Sequence, residues 1–267
     1  MMPRPLTTAD LDAIDSLRPA DWPPYRATFE RYFTLPCCSP FGIETDGWLA
    51  AMGTLIHFGP SAWVAQLITH PEAQGRGLGT AMLGFLLAEV SRRSVKTVSL
   101  VATDQGFPLY AKAGFRVEGE YSVWTRSEPA PVRANGLPWL RPWSAEAQDQ
   151  VWALDHAVSG EDRRGYLVGR TDGGWVAGPP GLVDGYFLPG IGEGLVAART
   201  PEAGLAVFGK RLDGATRVVA PLENPWVPVP LTERGFIESK RIRRMVLGPP
   251  LRRDPAALWS RIGGNRG

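Results

Sequence analysis

The pattern of apolar and polar residues predicts a regular succession of short helices and strands in the first half of the chain. Apolar residues at three- and four-residue spacing indicate helices, and apolar runs bounded by turn-forming residues indicate strands. Asp46 and Gly47, between two of the apolar runs, are typical of a two-residue hairpin turn. In chain order the pattern predicts a helix that Pro19 ends, a helix over 24–33, strands over 41–45, 48–58 and 61–69, a helix over 76–93, a strand over 96–103, a short helix over 107–113 and a strand over 115–126.

The same order of elements starts again after a stretch rich in proline and glycine. Residues 140–146 are similar to residues 4–7, and residues 234–238 are similar to residues 113–117. The second half contains a predicted helix up to residue 158, hairpin strands over 174–177 and 181–188, a strand over 194–199, a helix over 202–210 and a strand over 216–220. We therefore predict two tandem copies of one architecture, divided into a first domain over 1–126, a linker over 127–138, a second domain over 139–248 and a C-terminal tail over 249–267.

Composition and charge exclude several classes of function. With 267 residues, 44% hydrophobic and 21% charged, the chain is large enough for two globular domains. Its net charge of +2 is too balanced to indicate a nucleic acid as an obligate partner. The adjacent Cys37 and Cys38 fit neither a relaxed disulfide nor a zinc site, so we expect reduced thiols and no metal. The charged residues near the start and the lack of a long apolar run predict no signal peptide, no membrane span and a cytoplasmic location.

A glycine-rich stretch over 74–80 lies between the strand over 61–69 and the long apolar-patterned helix. Glycines lack a Cβ, so Gly75, Gly77 and Gly79 allow successive backbone N–H groups to approach an incoming group closely. The first turn of a helix has unpaired N–H donors and a positive dipole end, which favour a phosphate. Arg76 adds a formal charge. From the glycines alone, a turn without any ligand is an equally good interpretation.

Two motifs resemble a known family. The sequence Gln74-Gly75-Arg76-Gly77-Leu78-Gly79 resembles the Gln-x-x-Gly-x-Gly acyl-CoA loop of the GNAT superfamily of N-acetyltransferases. At the family's separation downstream, Leu109-Tyr110-Ala111-Lys112-Ala113-Gly114-Phe115 is similar to its Leu-Tyr-x-x-x-Gly-Phe motif. The resemblance implies an α+β fold with two tandem GNAT-like domains, each a central, mostly antiparallel mixed sheet flanked by helices.

The resemblance also implies acetyl-CoA as the cosubstrate and assigns residues to it. The pantetheine arm would pair with the strand that ends at Thr69, and the glycine-rich stretch would hold the pyrophosphate. The family often has an asparagine where this sequence has Thr103 and Asp104. The sequence therefore departs from the family's pattern at this cofactor contact. The cofactor-binding residues that it implies are Leu67, Ile68, Thr69, Gln74, Gly75, Arg76, Gly77, Leu78, Gly79, Thr80, Thr103 and Tyr110.

Tyr110 is the residue that the resemblance assigns as general acid to the departing CoA sulfur. A phenol with a pKa of about 10 is a weaker acid than a thiol with a pKa near 8.5, so a strengthening hydrogen bond is more plausible than complete proton transfer. The alternative is an aromatic packing residue. For the general base, His70 and His57 titrate in the useful range, and Glu72 follows the strand. Deprotonation through water requires no dedicated base.

The second copy differs where the first has its motifs. It lacks Gln-x-x-Gly-x-Gly, Pro201 removes one N–H donor, and Glu202 puts a negative charge where a pyrophosphate would lie. Leu231 stands at the position of the tyrosine, four residues before Gly235. The stretch over 155–163 resembles the Asp-x-x-x-x-Gly-x-Asp-Arg segment of bacterial YitH-like GNAT proteins. We predict that this copy is not catalytic.

The sequence therefore predicts an acetyl-CoA-dependent N-acetyltransferase whose first domain acts on an amine of a small molecule or peptide. The alternative is a non-catalytic acyl-CoA-binding or interaction module, for which Tyr110 would serve no purpose. Whether the protein forms a homodimer stays open at this stage.

Overall fold

The computed structural model describes residues 2–19, 22, 24–132 and 139–262 of the chain. The helices are α1 (Leu11–Ser16), α2 (Arg26–Thr34), α3 (Leu78–Arg92), α4 (Phe107–Lys112), α5 (Gln148–Ser159), α6 (Arg164–Leu167), α7 (Pro201–Leu212) and α8 (Pro228–Thr232). The strands are β1 (Arg4–Pro5), β2 (Cys38–Thr45), β3 (Trp48–Phe58), β4 (Ser61–Thr69), β5 (Thr97–Ala102), β6 (Arg116–Thr125), β7 (Leu140–Pro142), β8 (Trp175–Ala177), β9 (Gly185–Leu188), β10 (Leu195–Ala198), β11 (Arg217–Pro221), β12 (Ile237–Leu247) and β13 (Leu258–Ser260).

The described strands form two sheets, and helices flank them, so the predicted α+β class is confirmed. One sheet has the order β1-β2-β3-β4-β5-β12-β6-β11, and the other has the order β13-β10-β9-β8-β7. All pairs in the first sheet are antiparallel except β4 with β5, which is parallel. The predicted hairpin of β2 and β3 is confirmed, because Asp46 and Gly47 both have the positive φ that its two-residue turn requires.

The sheets do not follow the order of the sequence. Strand β12 lies between β5 and β6, with Arg244 opposite Val101 on one side and Ile242 opposite Tyr121 on the other. Strand β6 pairs in turn with β11. The proposed division of the chain at 126 and 139 stays a prediction, and strands from both sides of it share one sheet.

The predicted C-terminal tail contains a strand that the hydrophobic pattern did not predict. Strand β13 lies within the predicted tail and pairs with β10. Three residues are too few for a period-two pattern to be recognised. Part of the predicted linker, 133–138, and the end of the tail, 263–267, lie outside the described residues.

Helices cover both faces of the first sheet and place the glycine-rich stretch at one end. Helix α3 buries an apolar stripe against β3 and β4, in a core that includes Leu78 and Met82. Gly53 of β3 permits this close packing, because a Cβ there would lie 2.8 Å from Leu86 Cδ1. Helices α1 and α2 pack into a separate core, which contains Phe29 and Tyr32. None of the helices within the described residues combines the length and apolar character that a membrane-spanning helix needs.

Candidate active site

A cleft of about 840 Å³ opens where β4 and β5 separate. The two strands are paired only from Ser61 opposite Thr97 to Trp63 opposite Ser99. Beyond Trp63 the strands diverge, and residues 64–69 of β4 line the cleft. Backbone groups that have lost their neighbouring strand are available to a ligand that pairs like an added strand.

A β-bulge in β4 bends the strand at the cleft. The ladder with β3 shifts register between Thr54 opposite Ala65 and Met52 opposite Ile68, and Gln66 within the bulge has φ of 44°. A non-glycine residue in this region of φ needs support from its surroundings. Gln66 is buried, and its amide Nε2 donates a hydrogen bond to the Tyr32 hydroxyl at 3.0 Å. The sequence analysis did not single out Gln66, although a polar residue inside an apolar run was the available signal.

The glycine-rich stretch forms the N-terminus of α3 at the end of this cleft. Gly75 and Gly77 have φ of 77° and 78°, and Gly77 is the N-cap residue. A Cβ built on either glycine meets nothing within 4 Å, so open space lies in front of both. The first-turn N–H groups of Leu78, Gly79 and Thr80 have no acceptor inside the helix. The arrangement matches an anion site at a helix N-terminus.

Eleven of the twelve predicted cofactor-binding residues line the cleft: Leu67, Ile68, Thr69, Gln74, Gly75, Gly77, Leu78, Gly79, Thr80, Thr103 and Tyr110. Thr103 also stabilises the turn before α4, because its Oγ1 accepts a hydrogen bond from the Gly106 N–H at 3.1 Å. Arg76 lies outside this group. Its side chain is 57% exposed and reaches toward Asp46 at 3.9 Å, so the structure does not bring it to the cleft.

Tyr110 of α4 lines the cleft with only 8% of its surface exposed. Its ring packs edge-on against Phe115, and Gly106 leaves room for it, since a Cβ there would lie 3.0 Å from Tyr110 Cε2. Burial raises the pKa of the Tyr110 hydroxyl to about 12. The phenol therefore stays protonated and can donate a hydrogen bond across the physiological pH range.

The predicted base His70 does not line the cleft. Its ring packs edge-on against Trp48 at 4.8 Å, and its Nδ1 accepts a hydrogen bond from the Glu72 N–H at 3.3 Å. His70 thus caps the short turn Pro71–Ala73. His57 lies near Arg93, away from the cleft, and burial lowers its pKa. Among the residues that the structure describes, no histidine and no carboxylate lines the cleft.

The cleft has a second wall that the sequence analysis did not assign. It contains Arg18 and Trp22 from the segment between α1 and α2, together with Lys240 of β12. No sequence pattern could place Lys240 here, because it comes from a strand that is inserted from the far end of the chain.

The corresponding place in the second half is filled. Thr200 caps α7 with a side-chain oxygen that accepts a hydrogen bond from the Ala203 N–H at 3.3 Å. The ring of Trp259 lies directly against Gly204, and Trp259 is 1% exposed. At the N-terminus of α7, a backbone N–H is therefore paired and the space is filled, whereas both are open at the N-terminus of α3.

Comparison with solved structures shows which proteins have a similar fold. A Pyrococcus horikoshii protein superposes with a TM-score of 0.81 at 21% identity, over 97% of this chain and 93% of that one. The GCN5-related N-acetyltransferase from Sphaerobacter thermophilus superposes with a TM-score of 0.60 at 17% identity, over 94% and 98%. A tandem GNAT protein from the clavulanic acid biosynthesis pathway gives 0.61 at 17%, over 93% and 99%. The chain thus has the fold of tandem acetyltransferase-like proteins.

The family assignment comes from the first half of the chain. Residues 9–115 match the model of the acetyltransferase (GNAT) family. The matched residues include both the glycine-rich stretch and Tyr110. Residues 9–115 are therefore similar to a GNAT acetyltransferase domain, and the predicted resemblance to this superfamily is confirmed. The finer resemblance to YitH-like proteins stays a prediction.

Proposed function

We propose that the protein is an acetyl-CoA-dependent N-acetyltransferase and that its first domain transfers the acetyl group to an amine. One observation carries the proposal: the α3 N-terminus, the unpaired stretch of β4 and the Tyr110 hydroxyl all border one cleft. Acetyl-CoA fits this set of groups, because it combines a pyrophosphate, an amide-containing arm and a thioester. Acetyl transfer in general is the activity of the family whose model residues 9–115 match.

In the proposed complex each part of the cleft has one task. The N–H groups at Gly77, Leu78 and Gly79 bind the pyrophosphate. The backbone of 67–69 pairs with the pantetheine arm and fixes the thioester near the bulge. When bound, acetyl-CoA supplies an activated acyl group to an amine that is held on the opposite side.

The reaction requires a nucleophilic amine and a stabilised leaving group. The amine nitrogen forms a bond to the carbonyl carbon, the carbon–sulfur bond breaks, and the departing sulfur gains negative charge. Tyr110 donates a hydrogen bond to that sulfur, and the bond strengthens as the charge develops. The amine proton leaves through water, since no histidine and no carboxylate lines the described part of the cleft.

The second half is proposed not to bind acetyl-CoA. Pro201 lacks an N–H donor, and Glu202 places a negative charge in the first turn of α7. Trp259 fills the space beside Gly204. We therefore expect one binding site per chain, in the first domain.

Titration calorimetry with acetyl-CoA tests the proposal. Gly77→Asp puts a carboxylate into the open space before the helix, where it repels a pyrophosphate, and we expect binding to be lost. Gly77→Asn is the matched control, because it has the same size and tolerates the same positive φ without a charge. The Asn variant should bind more tightly than the Asp variant by at least about tenfold.

Each outcome of the titration decides between functions. One site per chain, together with acetylation of an amine, supports the transferase. One site without turnover of any amine favours the alternative, an acyl-CoA-binding module. Two sites contradict the assignment of the second half, and an absence of binding contradicts the proposal as a whole.

A further inference from the structure

The bulge of β4 changes the face of the sheet toward which one side chain points. In a regular strand, successive side chains alternate between the two faces. Ala65 packs into the core that includes α1 and α2, whereas Val64 and Leu67 pack into the core that includes α3. Gln66, between Ala65 and Leu67, makes its hydrogen bonds to Tyr32 of α2. The bulge therefore places two consecutive residues, Ala65 and Gln66, on the α2 face.

The two faces of the sheet meet different parts of the cleft. The glycine-rich stretch continues into α3, so a cosubstrate whose pyrophosphate binds there enters from the α3 face. Leu17, which packs into the core on the other face, also lines the cleft. The cleft is thus open to both faces where β4 and β5 separate. An acceptor amine that reaches the thioester from the side opposite to α3 meets the face on which the bulge places Gln66.

The side-chain amide of Gln66 is buried at the wall of the cleft and keeps unused hydrogen-bonding capacity. Gln66 lines the cleft with only 3% of its surface exposed. The Tyr32 hydroxyl accepts a hydrogen bond from Nε2 at 3.0 Å and lies 3.3 Å from Oε1. A glutamine amide has two N–H donors and two acceptor lone pairs. Since Tyr32 is the one described residue that hydrogen-bonds to this amide, a donor of Nε2 and a lone pair of Oε1 are available to a ligand.

The backbone conformation of Gln66 is a second observation that points to function. Its φ of 44° is uncommon for a residue other than glycine, and such strained residues cluster at functional sites. The conformation is what turns the amide toward α2 instead of α3. Buried polar groups nearly always find partners for their donors and acceptors. An incompletely paired amide, held in a strained conformation at the edge of a cleft, therefore indicates a ligand on that side.

We infer that Gln66 binds the acceptor amine, with its Oε1 accepting a hydrogen bond from an N–H of the attacking nitrogen. The inference rests on the proposed function and adds an acceptor-binding residue to that site. The nitrogen gains positive charge as it attacks the thioester carbonyl, so the hydrogen bond to Oε1 strengthens in the transition state. The amide cannot take up the amine proton, which still passes to water.

Tyr32 acts in this arrangement as a positioning residue. It is 1% exposed, and its ring packs edge-on against Phe29 at a centroid distance of 5.3 Å. A hydroxyl on a closely packed ring has little freedom to move. By accepting the hydrogen bond from Nε2, it fixes the orientation of the Gln66 amide and with it the position of Oε1.

The test uses variants of the full-length protein and three primary amines: glycinamide, benzylamine and trialanine. Gln66→Met has a similar length and volume but neither donates nor accepts strong hydrogen bonds. Gln66→Glu keeps two acceptor oxygens. The matched control is Gln148→Met, at an exposed glutamine of α5 that does not line the cleft. Steady-state kinetics gives kcat/KM for each amine, and calorimetry gives the dissociation constant of acetyl-CoA.

We expect Gln66→Met to lower kcat/KM for the amines by about tenfold or more, because a charge-assisted hydrogen bond is lost. The dissociation constant of acetyl-CoA should change by less than about threefold, because the pyrophosphate contacts are unaltered. Gln66→Glu should retain more activity than Gln66→Met. It should also add to the pH profile of kcat/KM an ionisation that the wild type lacks, because a carboxyl group then contacts the amine. Gln148→Met should have no effect.

A second variant tests the inference where Gln66→Met does not fold. Tyr32→Phe leaves Gln66 in place but removes the hydroxyl that orients it. We expect a lower kcat/KM for the amines and unchanged acetyl-CoA binding. Wild-type kcat/KM in either variant, or a loss of acetyl-CoA binding that accounts for the loss of activity, overturns the inference but leaves the acetyltransferase. If the wild type binds acetyl-CoA and acetylates none of the amines, the proposed transferase fails and the inference fails with it.

Discussion

At the residue scale, the proposed acetyl transfer depends on the protonation state of Tyr110. Burial raises the pKa of its hydroxyl to about 12, whereas a thiol has a pKa of about 8.5. The difference of about 3.5 units makes complete proton transfer to a thiolate unfavourable by roughly 5 kcal/mol. A hydrogen bond in which the proton stays on the phenol oxygen avoids this cost. In the proposed reaction, Tyr110 therefore acts as a hydrogen-bond donor whose contribution is electrostatic.

We expect Tyr110→Phe to lower kcat by about 10- to 100-fold, because the sulfur loses a hydrogen bond as it becomes charged. The dissociation constant of acetyl-CoA, measured by calorimetry, should change by less than about threefold, because the pyrophosphate contacts are untouched. In the wild type, kcat should not fall between pH 8 and 10, because the phenol loses its proton only near its raised pKa of about 12. An unchanged kcat in the variant would show that Tyr110 is a packing residue.

At the scale of elements, β4 is held from the second half of the chain just before it leaves β5. Trp63, the last residue of β4 paired with β5, donates a hydrogen bond from Nε1 to Glu161 Oε1 at 2.7 Å. Glu161 follows α5 and is 2% exposed. Burial raises the pKa of the Glu161 carboxyl, and the nearby positive charges of Arg244 and Arg163 oppose that shift. The point at which the cleft opens therefore depends on a contact between the two halves.

The raised pKa of Glu161 predicts how stability changes with pH. The folded protein binds this proton more strongly than the unfolded chain, so its contribution to the free energy of unfolding is largest at low pH. That contribution is lost as the pH rises above about 4.3 toward the folded pKa. Glu161→Gln keeps an oxygen acceptor for Trp63 and cannot ionise. We expect the Tm of the variant, relative to the wild type, to increase from pH 5 to pH 8.

Thermal unfolding at the two pH values measures this difference. Glu161→Ala is the control, because it leaves the indole N–H of Trp63 unpaired. That variant should be destabilised by about 1–3 kcal/mol. A difference between Glu161→Gln and the wild type that is constant with pH would contradict the pKa argument.

At the scale of the whole molecule, the inserted strand makes the two halves interdependent. Strand β12 pairs with β5 over 243–247 and with β6 over 237–246. Without β12, these two strands would have unpaired edges, which promote aggregation. The first half is therefore not expected to be an autonomous folding unit.

A fragment ending at residue 132 tests this dependence. It contains the whole predicted acyl-CoA loop and Tyr110 but lacks β11 and β12. We expect the fragment to aggregate or to unfold without a cooperative transition, whereas the full chain unfolds cooperatively. Gel filtration and thermal circular dichroism distinguish the two. A fragment that is monomeric, unfolds cooperatively and binds acetyl-CoA would contradict the prediction.

The sequence by itself determined the parts of the molecule that depend on neighbours along the chain. The hairpin at Asp46 and Gly47 follows from the turn residues, and α3 follows from its apolar stripe. The glycine-rich stretch and Tyr110 were recognisable because each belongs to a short motif, and both border the cleft. A short-range sequence pattern is sufficient to predict the structure wherever neighbouring residues determine the conformation.

Only the tertiary structure decided which distant segments meet. The residues of β12 do not specify its partners, because every strand offers the same backbone donors and acceptors. Its insertion between β5 and β6 brings Lys240 to the cleft. The orientation of His70 toward Trp48 and the bulge at Gln66 likewise depend on packing across the sheet. The glycine-rich end of the cleft is therefore local in sequence, and the wall that contains Lys240 is assembled by the fold.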